Sequence, residues 1–178
     1  DLGKLFLIFS QWMHLLSKAV SWQEKRGLRP DYFPRALPNA LAIMAQNQFN
    51  KLDIFNAHRK EIAKFYYKEL ENTQFGLPQK EGNIFLRFTI THPKTHEILY
   101  EAWHKENILL GDWYTSVIAP HDTQLDKMRY KLGTCPNAEN LTQKTLNLPT
   151  HINISLHQRS GHAISDAQRI VSFLKKYM

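Results

Sequence analysis

The stretch "NIFLRFTIT", residues 83–91, decides the fold class, because its apolar side chains alternate along the chain. One set of alternate positions is apolar throughout: Ile84, Leu86, Phe88 and Ile90. The positions between them hold Phe85, Arg87 and Thr89. A period of two is typical of a β-strand with one buried face. The sequence therefore predicts a strand that His92-Pro93 ends.

A helical pattern precedes this strand. From Pro38 to Leu70, apolar residues recur mostly three or four positions apart, which predicts one long helix with a proline in its first turn. At about 1.5 Å per residue such a helix is about 45 Å long, more than the core of a small domain needs. We therefore expect it to run between two domains.

The chain after the strand predicts two more helices and a second strand. The helix at residues 95–106 has Ile98, Leu99, Ala102 and Trp103 on one face, and "ILL" at 108–110 suits a short strand. The last helix has Ile164, Ala167, Val171 and Leu174 in register. A further strand is possible between residue 136 and this helix. The order of elements predicts an α+β fold, with helices packed on a short sheet.

The composition restricts the kind of protein. With 178 residues, 43% of them hydrophobic, the chain suits one globular domain, with or without an appendage. The net charge of +7 comes from scattered Lys and Arg residues, so we do not expect a nucleic-acid partner. One cysteine excludes an intramolecular disulfide and suits a reducing cytosol. We expect no metal site, because Pro93 separates His92 from His96.

The first residues form a separate segment. Residues 4–20 predict a helix that is apolar around much of its circumference and must be covered. We favour another part of the polypeptide as its cover, with a membrane surface as the alternative. Residues 21–38, with three prolines and a glycine, predict an irregular connector. Because the chain opens on Asp1 without a signal peptide, we expect it to begin mid-protein.

Two other segments invite a chemical interpretation. "GDWYTSVIAP", residues 111–120, is an aromatic loop that suits the wall of a binding cleft or, equally, a small satellite of the core. Cys135 precedes Pro136, which opens a predicted helix, so the positive helix end would favour a thiolate. We favour a buried, unreactive cysteine at this cap. The common nucleotide, hydrolase and zinc-protease motifs are missing from the sequence.

Two longer stretches carry a resemblance to a known family. "LPNALAIMAQNQFNKLDIFNAHRKEIAKFYYKEL", residues 37–70, resembles the long helix of the DegT/DnrJ/EryC1/StrS sugar aminotransferases. The shared positions are Leu37, Pro38, Asn39, Gln48, Lys51, Leu52, Asp53 and Arg59. "CPNAENLTQKTLNLPTHINIS", residues 135–155, resembles the family's Cys-Pro-x-Ala-Glu followed by Leu-Pro-x-His. The final match is Asp166, Ala167, Ile170 and Phe173 to Lys176, so the resemblance covers residues 34–178.

The resemblance implies the small C-terminal domain of a fold-type-I transferase dependent on pyridoxal phosphate. It has a short, mostly antiparallel sheet packed by helices, and a long interdomain helix. Residues 34–178 would form this domain, and residues 1–33 would be a remnant of the interdomain region. The Cys-Pro would start a helix and the Leu-Pro would close it, returning the chain to the sheet.

The resemblance also implies a function. The family acts as cytoplasmic homodimers that transfer an amino group from an amino acid to a keto sugar, often a nucleotide sugar. Its large N-terminal domain carries the Schiff-base lysine, and nothing here matches it, since no Gly-rich stretch follows Lys18. We therefore assign no catalytic residue and expect the chain to be inactive without a large domain.

Three residues are predicted to line the substrate or partner side of the cleft. The family's Asn-Tyr-Arg-Met, which reaches toward the neighbouring subunit's cofactor, is replaced by Pro34-Arg35-Ala36-Leu37, so Arg35 is the candidate there. Tyr114 matches the tyrosine of His-Tyr-x-x-Leu-His, with Trp113 and Ile118 at the histidine positions. Two alternatives remain: a non-catalytic interaction or membrane-surface module that docks through the N-terminal helix, and a relative that has lost the lysine.

Overall fold

The computed structural model describes residues 2–13, 20–158 and 163–178. Its helices are α1 (Leu2–Trp12), α2 (Asn39–Phe49), α3 (Leu52–Leu70), α4 (Thr95–His104), α5 (Pro136–Thr142) and α6 (Asp166–Leu174). Its strands are β1 (Phe88–Thr91) and β2 (Thr145–Leu148). Short 3₁₀ helices form at Glu24–Arg26 and Lys175–Tyr177. The predicted connector at residues 21–38 has no other helix or strand.

The sheet consists of two antiparallel strands with extra pairing at both edges. Phe88 of β1 lies opposite Leu148 of β2, and Thr91 lies opposite Thr145. Gly76 bridges to the free edge of β1, and Gly111 bridges to that of β2. A two-stranded sheet is marginally stable alone, so it must be covered by helices.

Three helices supply that cover. α3 packs against α6, and α4 packs against β2. The completely buried side chains of this core include Ile62, Tyr66, Leu70, Phe88, Ile90, Ile98, Leu146, Leu148 and Leu174. The Tyr66 ring lies 5.3 Å from the Phe88 ring, and its hydroxyl donates to the Pro149 carbonyl at 3.0 Å. Helix α3 is thereby joined to β1 and to the residue that follows β2.

Helix α6 begins where its sequence satisfies the first free backbone groups. The Ser165 hydroxyl accepts from the Gln168 N–H at 3.2 Å, and the Ser165 N–H donates to the Gln168 side chain at 3.0 Å. This reciprocal pair is a capping box. It fixes the helix start after Ile164, which is 42% exposed rather than buried as predicted.

The long helix predicted over residues 38–70 is divided in two. α2 ends at Phe49 and α3 begins at Leu52. Between them the Lys51 N–H donates to the Gln48 carbonyl at 3.1 Å, a bond over three residues rather than four. Such a bond tightens the last turn of a helix and here interrupts the α-helical ladder. The apolar spacing continues through the break, which is why the sequence pattern did not reveal it.

The strand predicted from residue 84 is shorter than expected. β1 begins at Phe88, and the alternation holds there because Phe88 and Ile90 are fully buried. Before it, Phe85 has a positive φ of 54° and is buried, whereas Ile84 and Leu86 are exposed. The left-handed backbone conformation at Phe85 therefore turns this side chain toward the core and its two neighbours toward solvent, the opposite of the predicted pattern.

The second predicted strand, the predicted burial of Trp103 and the predicted role of Leu148-Pro149 are wrong. "ILL" at 108–110 forms no strand, and the sheet pairing there is the single bridge at Gly111. Trp103 of α4 is 42% exposed, whereas Ile98 and Ala102 of the same helix are buried as predicted. Leu148-Pro149 ends strand β2 and does not close α5, which ends at Thr142. The further strand that was considered possible after residue 136 is therefore β2, which ends immediately before Pro149.

The N-terminal half of the chain exposes most of its apolar side chains. α1 exposes Leu5, Phe6, Ile8, Phe9 and Trp12. α2 buries none of its residues and exposes Leu41, Ile43, Met44 and Phe49. The end of the helix predicted at residues 4–20 falls at 14–19, outside the described residues. The predicted domain division at residue 33 remains a prediction.

The buried His92 makes the stability of the fold depend on pH. Its Nδ1 accepts from the Lys94 N–H at 3.1 Å, and its ring lies 4.8 Å from that of Phe75. Burial, reinforced by the nearby Lys94 ammonium, lowers the pKa of His92 from 6.5, and the Tyr177 backbone and the Glu97 carboxylate oppose this only in part. The folded protein therefore favours the neutral ring.

We expect the free energy of unfolding to decrease as the pH falls below 6.5 toward the lowered folded-state pKa of His92. The unfolded chain binds the proton first in that window, and a folded-state pKa lowered by one corresponds to about 1.4 kcal/mol. Urea denaturation from pH 8 to 5 measures the effect. His92→Asn keeps an acceptor for the Lys94 N–H and should flatten the profile; His96→Gln, at an exposed position, should not. Equal profiles for the wild type and His92→Asn would contradict this assignment.

Candidate functional site

The sheet determines where the aromatic loop at residues 111–120 begins. The Gly111 N–H donates to the Asn147 carbonyl and the Asn147 N–H donates to the Gly111 carbonyl, both at 2.8 Å. A Cβ added to Gly111 would lie 3.0 Å from the Asn147 Cβ. Glycine therefore permits the close approach that starts the loop at the edge of β2.

The Asn147 side chain continues this attachment. It is 4% exposed, and its Nδ2 donates to the carbonyl of Trp113. Its Oδ1 accepts from the Thr89 hydroxyl of β1 at 2.8 Å. Asn147 thus links the first strand to the loop, and its buried amide is satisfied by those two bonds.

The two predicted aromatic residues lie together at the surface. The rings of Trp113 and Tyr114 are 5.7 Å apart, and both residues are more than half exposed. The Arg87 guanidinium lies 4.1 Å from the centre of the Trp113 ring, a cation–π contact. The loop therefore presents an aromatic surface with a cation beside it.

A cavity of about 440 Å³ lies against this loop. Residues 112–116 and 119–121, in the loop and just after it, line the cavity together with Val20 and, from the connector, Lys25. Lys25 forms an ion pair with Asp122, and its carbonyl accepts from the Gln124 N–H at 2.9 Å. The hydrogen bond from Lys25 lowers the pKa of Asp122. The start of the connector is thereby fastened to the chain just after the loop, and the two together line a space of small-molecule size.

The structure does not bring Arg35 to this cavity. Its guanidinium lies 5.8 Å from the ring of Tyr32, on the connector. Trp113 and Tyr114 both line the cavity, whereas neither Arg35 nor Ile118 is among its lining residues. The proposed roles of all three predicted site residues remain predictions.

Three residues at this site, Lys25, Arg87 and Asn147, were not predicted from the sequence. Arg87 occupies a polar position in the alternating pattern of "NIFLRFTIT", which indicates only a solvent-side residue. Asn147 interrupts an apolar run, "TLNLP", and a buried amide in such a run is a signal for a hydrogen-bonded role. Lys25 gives no signal, because its partner Asp122 is distant in sequence.

Cys135 is exposed at the start of α5, so its expected burial is wrong. Glu139 organises the turn before this helix: its carboxylate accepts from the Tyr130 hydroxyl and from the Gly133 N–H, both at 2.7 Å. The bond to Glu139 raises the pKa of Tyr130 to about 12. Within residues 2–13, 20–158 and 163–178 no three His, Cys, Asp or Glu side chains converge as metal ligands.

Comparison with known proteins identifies the family. The profile of the DegT/DnrJ/EryC1/StrS aminotransferase family matches residues 31–161. The chain belongs to this family. The resemblance noted in the sequence is confirmed, although a search of the curated proteins returned no match.

Solved structures show the same fold. The chain matches a DegT DnrJ EryC1 StrS aminotransferase from Brucella abortus with a TM-score of 0.57 and 18% identity, over 74% of this chain and 33% of the other. It matches S. venezuelae DesV, solved in complex with a ketimine intermediate, with a TM-score of 0.63 and 19% identity, over 85% and 41%. The predicted α+β, fold-type-I assignment is confirmed. The chain spans less than half the length of both structures.

We expect Asn147→Ala to lower the free energy of unfolding by about 1–3 kcal/mol, because it leaves the Trp113 carbonyl and the Thr89 hydroxyl without their partner. It should also shift the emission of Trp113 in a variant where Trp12, Trp22 and Trp103 are replaced by Phe. Urea denaturation and fluorescence measure the two effects.

Thr145→Ala is the control, because Thr145 lies in the same strand and its hydroxyl donates to the Leu141 carbonyl, away from the loop. It should leave the Trp113 emission unchanged. An unchanged emission in Asn147→Ala as well would show that this side chain does not position the loop.

Proposed function

We propose that this chain is the small domain of a pyridoxal-phosphate-dependent aminotransferase that transfers an amino group from an amino acid to a keto sugar. The observation that supports this most directly is the cavity of about 440 Å³ beside Trp113 and Tyr114, in a chain of the aminotransferase family. Aromatic rings pack well against the apolar faces of sugar rings, and Lys25 adds a polar group at the cavity wall.

The residues that line this cavity do not fit the cofactor itself. Such a site needs a Schiff-base lysine, an acidic partner for the pyridinium nitrogen and a phosphate cradle. Among the described residues that line the cavity, the lysine is Lys25, whose ammonium is ion-paired with Asp122. An ion-paired ammonium is not the neutral amine that forms an imine. Lys18 lies outside the described residues. We therefore assign cofactor binding to a large domain beyond residues 1–178.

The exposed apolar surface supports the need for further protein. α2 exposes Leu41 to 50%, Ile43 to 71% and Met44 to 64%, and buries none of its residues. Large exposed apolar patches are rare on monomeric proteins and mark surfaces that contact another protein or a membrane. We propose that the large domain and a second subunit cover α1 and α2 in a cytoplasmic homodimer.

The test is the Trp113→Ala substitution in the enzyme that contains the large domain. We expect kcat/KM for the keto sugar to fall about tenfold to a hundredfold, because an aromatic contact contributes about 1.5–3 kcal/mol. The half-reaction with the amino-acid donor should change less. Trp103→Ala, at an α4 residue outside the cavity, is the matched control. Unchanged kinetics in Trp113→Ala would remove this loop from the substrate site.

A gene that encodes no large domain, or one without the Schiff-base lysine, would contradict the proposed catalysis itself. Sequencing the reading frame upstream of residue 1 distinguishes this outcome from a wrong assignment of Trp113.

A non-catalytic module that docks through α1 is the second candidate, supported by the exposure of Phe6 to 70% and Trp12 to 73%. Across the described ranges no helix is long and apolar enough to cross a membrane, so docking would take place at a surface. Salt-sensitive flotation with anionic liposomes that is lost on deletion of residues 1–20 would favour this module. The Ile43→Ser, Met44→Ser double variant of α2 is its control.

A further inference from the structure

A second cavity, of about 780 Å³, lies between α3 and the turn before β1. Its lining residues include Lys60, Lys64, Lys68 and Lys80, with Glu71 as the acidic member. The residues that line the first cavity are all different. The volume is in the range of small-molecule sites.

Three of the lysines form a row along α3. Lys60, Lys64 and Lys68 are four residues apart and so project from one face of the helix at intervals of about 6 Å. Like charges at this spacing destabilise a helix. In the part of the chain that the structure describes, no ion pair neutralises these three ammonium groups. A bound anion would remove this repulsion.

The fourth lysine completes the positive rim from the other wall. Lys80 donates to Glu71 at 2.9 Å, and its ammonium lies 4.9 Å from the centre of the Tyr67 ring. Glu71 therefore compensates only this lysine. The cavity keeps a surplus of three positive charges on residues that project from one helix.

The base of the cavity is apolar and firmly held. Tyr67 donates its hydroxyl to the Pro78 carbonyl at 2.8 Å, and its ring lies 5.7 Å from that of Phe85. Ile84 is 45% exposed and lines the cavity beside them. The Asn83 side chain accepts from the Phe85 N–H at 2.7 Å, which fixes the turn that forms this wall. A rigid apolar base under a cationic rim suits a ligand that has both an apolar part and an anionic group.

We propose that this cavity binds a small molecule that carries a dianionic group, phosphate or paired carboxylates, on an apolar or aromatic body. The lysine row binds the anion, because ammonium groups contact oxygen anions from several directions without a fixed geometry. Ile84 and the edges of Tyr67 and Phe85 contact the apolar or aromatic part of the ligand. The site is separate from the substrate cavity, so the ligand is a second one.

The experiment titrates the 178-residue chain with 1-naphthyl phosphate and, separately, with phthalate, by isothermal calorimetry at low salt. Inorganic phosphate and 1-naphthol test the anionic and apolar parts alone. We expect both aromatic dianions to bind and each separate part to bind at least about tenfold more weakly, because the two contacts contribute together. Preference for one dianion identifies the anionic group.

The Lys64→Glu, Lys68→Glu double variant should weaken binding of the aromatic dianions by at least about tenfold, because two attractions become repulsions. The Lys127→Glu, Lys131→Glu variant makes the same change of charge outside the cavity and should bind as the wild type does. Circular dichroism confirms that each variant is folded. Equal weakening in both variants would show an effect of net charge only, and no binding or no weakening would overturn the proposal.

Discussion

The contact of Tyr66 with the sheet is the interaction on which the rest of the structure depends. A sheet of two strands cannot persist without cover, and Tyr66 connects α3 to it through the Phe88 ring and the Pro149 carbonyl. Burial raises the pKa of this tyrosine well above its usual range, so the hydroxyl stays protonated and donates throughout the pH range of the fold. The apolar residues of α3, α4 and α6 then close around the strands.

This core also positions both cavities. Asn147, at 4% exposure, is held by β1 and in turn holds the aromatic loop, so the cavity beside that loop rests on the sheet. Tyr67, next to Tyr66, forms the base of the lysine cavity and packs on Phe88 as well, with ring centres 4.9 Å apart. A change in the packing of α3 against β1 would therefore alter both cavities. Among the side chains that the structure describes, α1 and α2 contribute nothing buried and apolar to this core, so their apolar residues are left to contact other surfaces.

Periodicity predicted the class of fold and most helices, because α3, α4, α6 and β1 each bury a face that the sequence repeats. It failed where local backbone geometry intervened. The positive φ of Phe85 directs Phe85 inward where the pattern predicted Ile84 and Leu86 to be buried. The hydrogen bond from the Lys51 N–H to the Gln48 carbonyl interrupts a helix whose apolar pattern is continuous. At the site, Trp113 and Tyr114 were predicted from loop composition and family resemblance, whereas Arg87, Asn147 and Lys25 depend on contacts between distant segments that no local pattern encodes.

We propose that this chain is a small domain whose cofactor chemistry takes place on another domain. Titration with pyridoxal phosphate, borohydride reduction and mapping of the labelled lysines by mass spectrometry test it most directly. This proposal predicts that neither Lys25 nor Lys18 is labelled more in the folded chain than in a denatured control, and that any preferential labelling of Lys60, Lys64 or Lys68, which line the second cavity, is lost in excess 1-naphthyl phosphate. Saturable labelling of Lys25 or Lys18 in the folded chain alone would show that a cofactor site lies within residues 1–178 and would contradict the proposal.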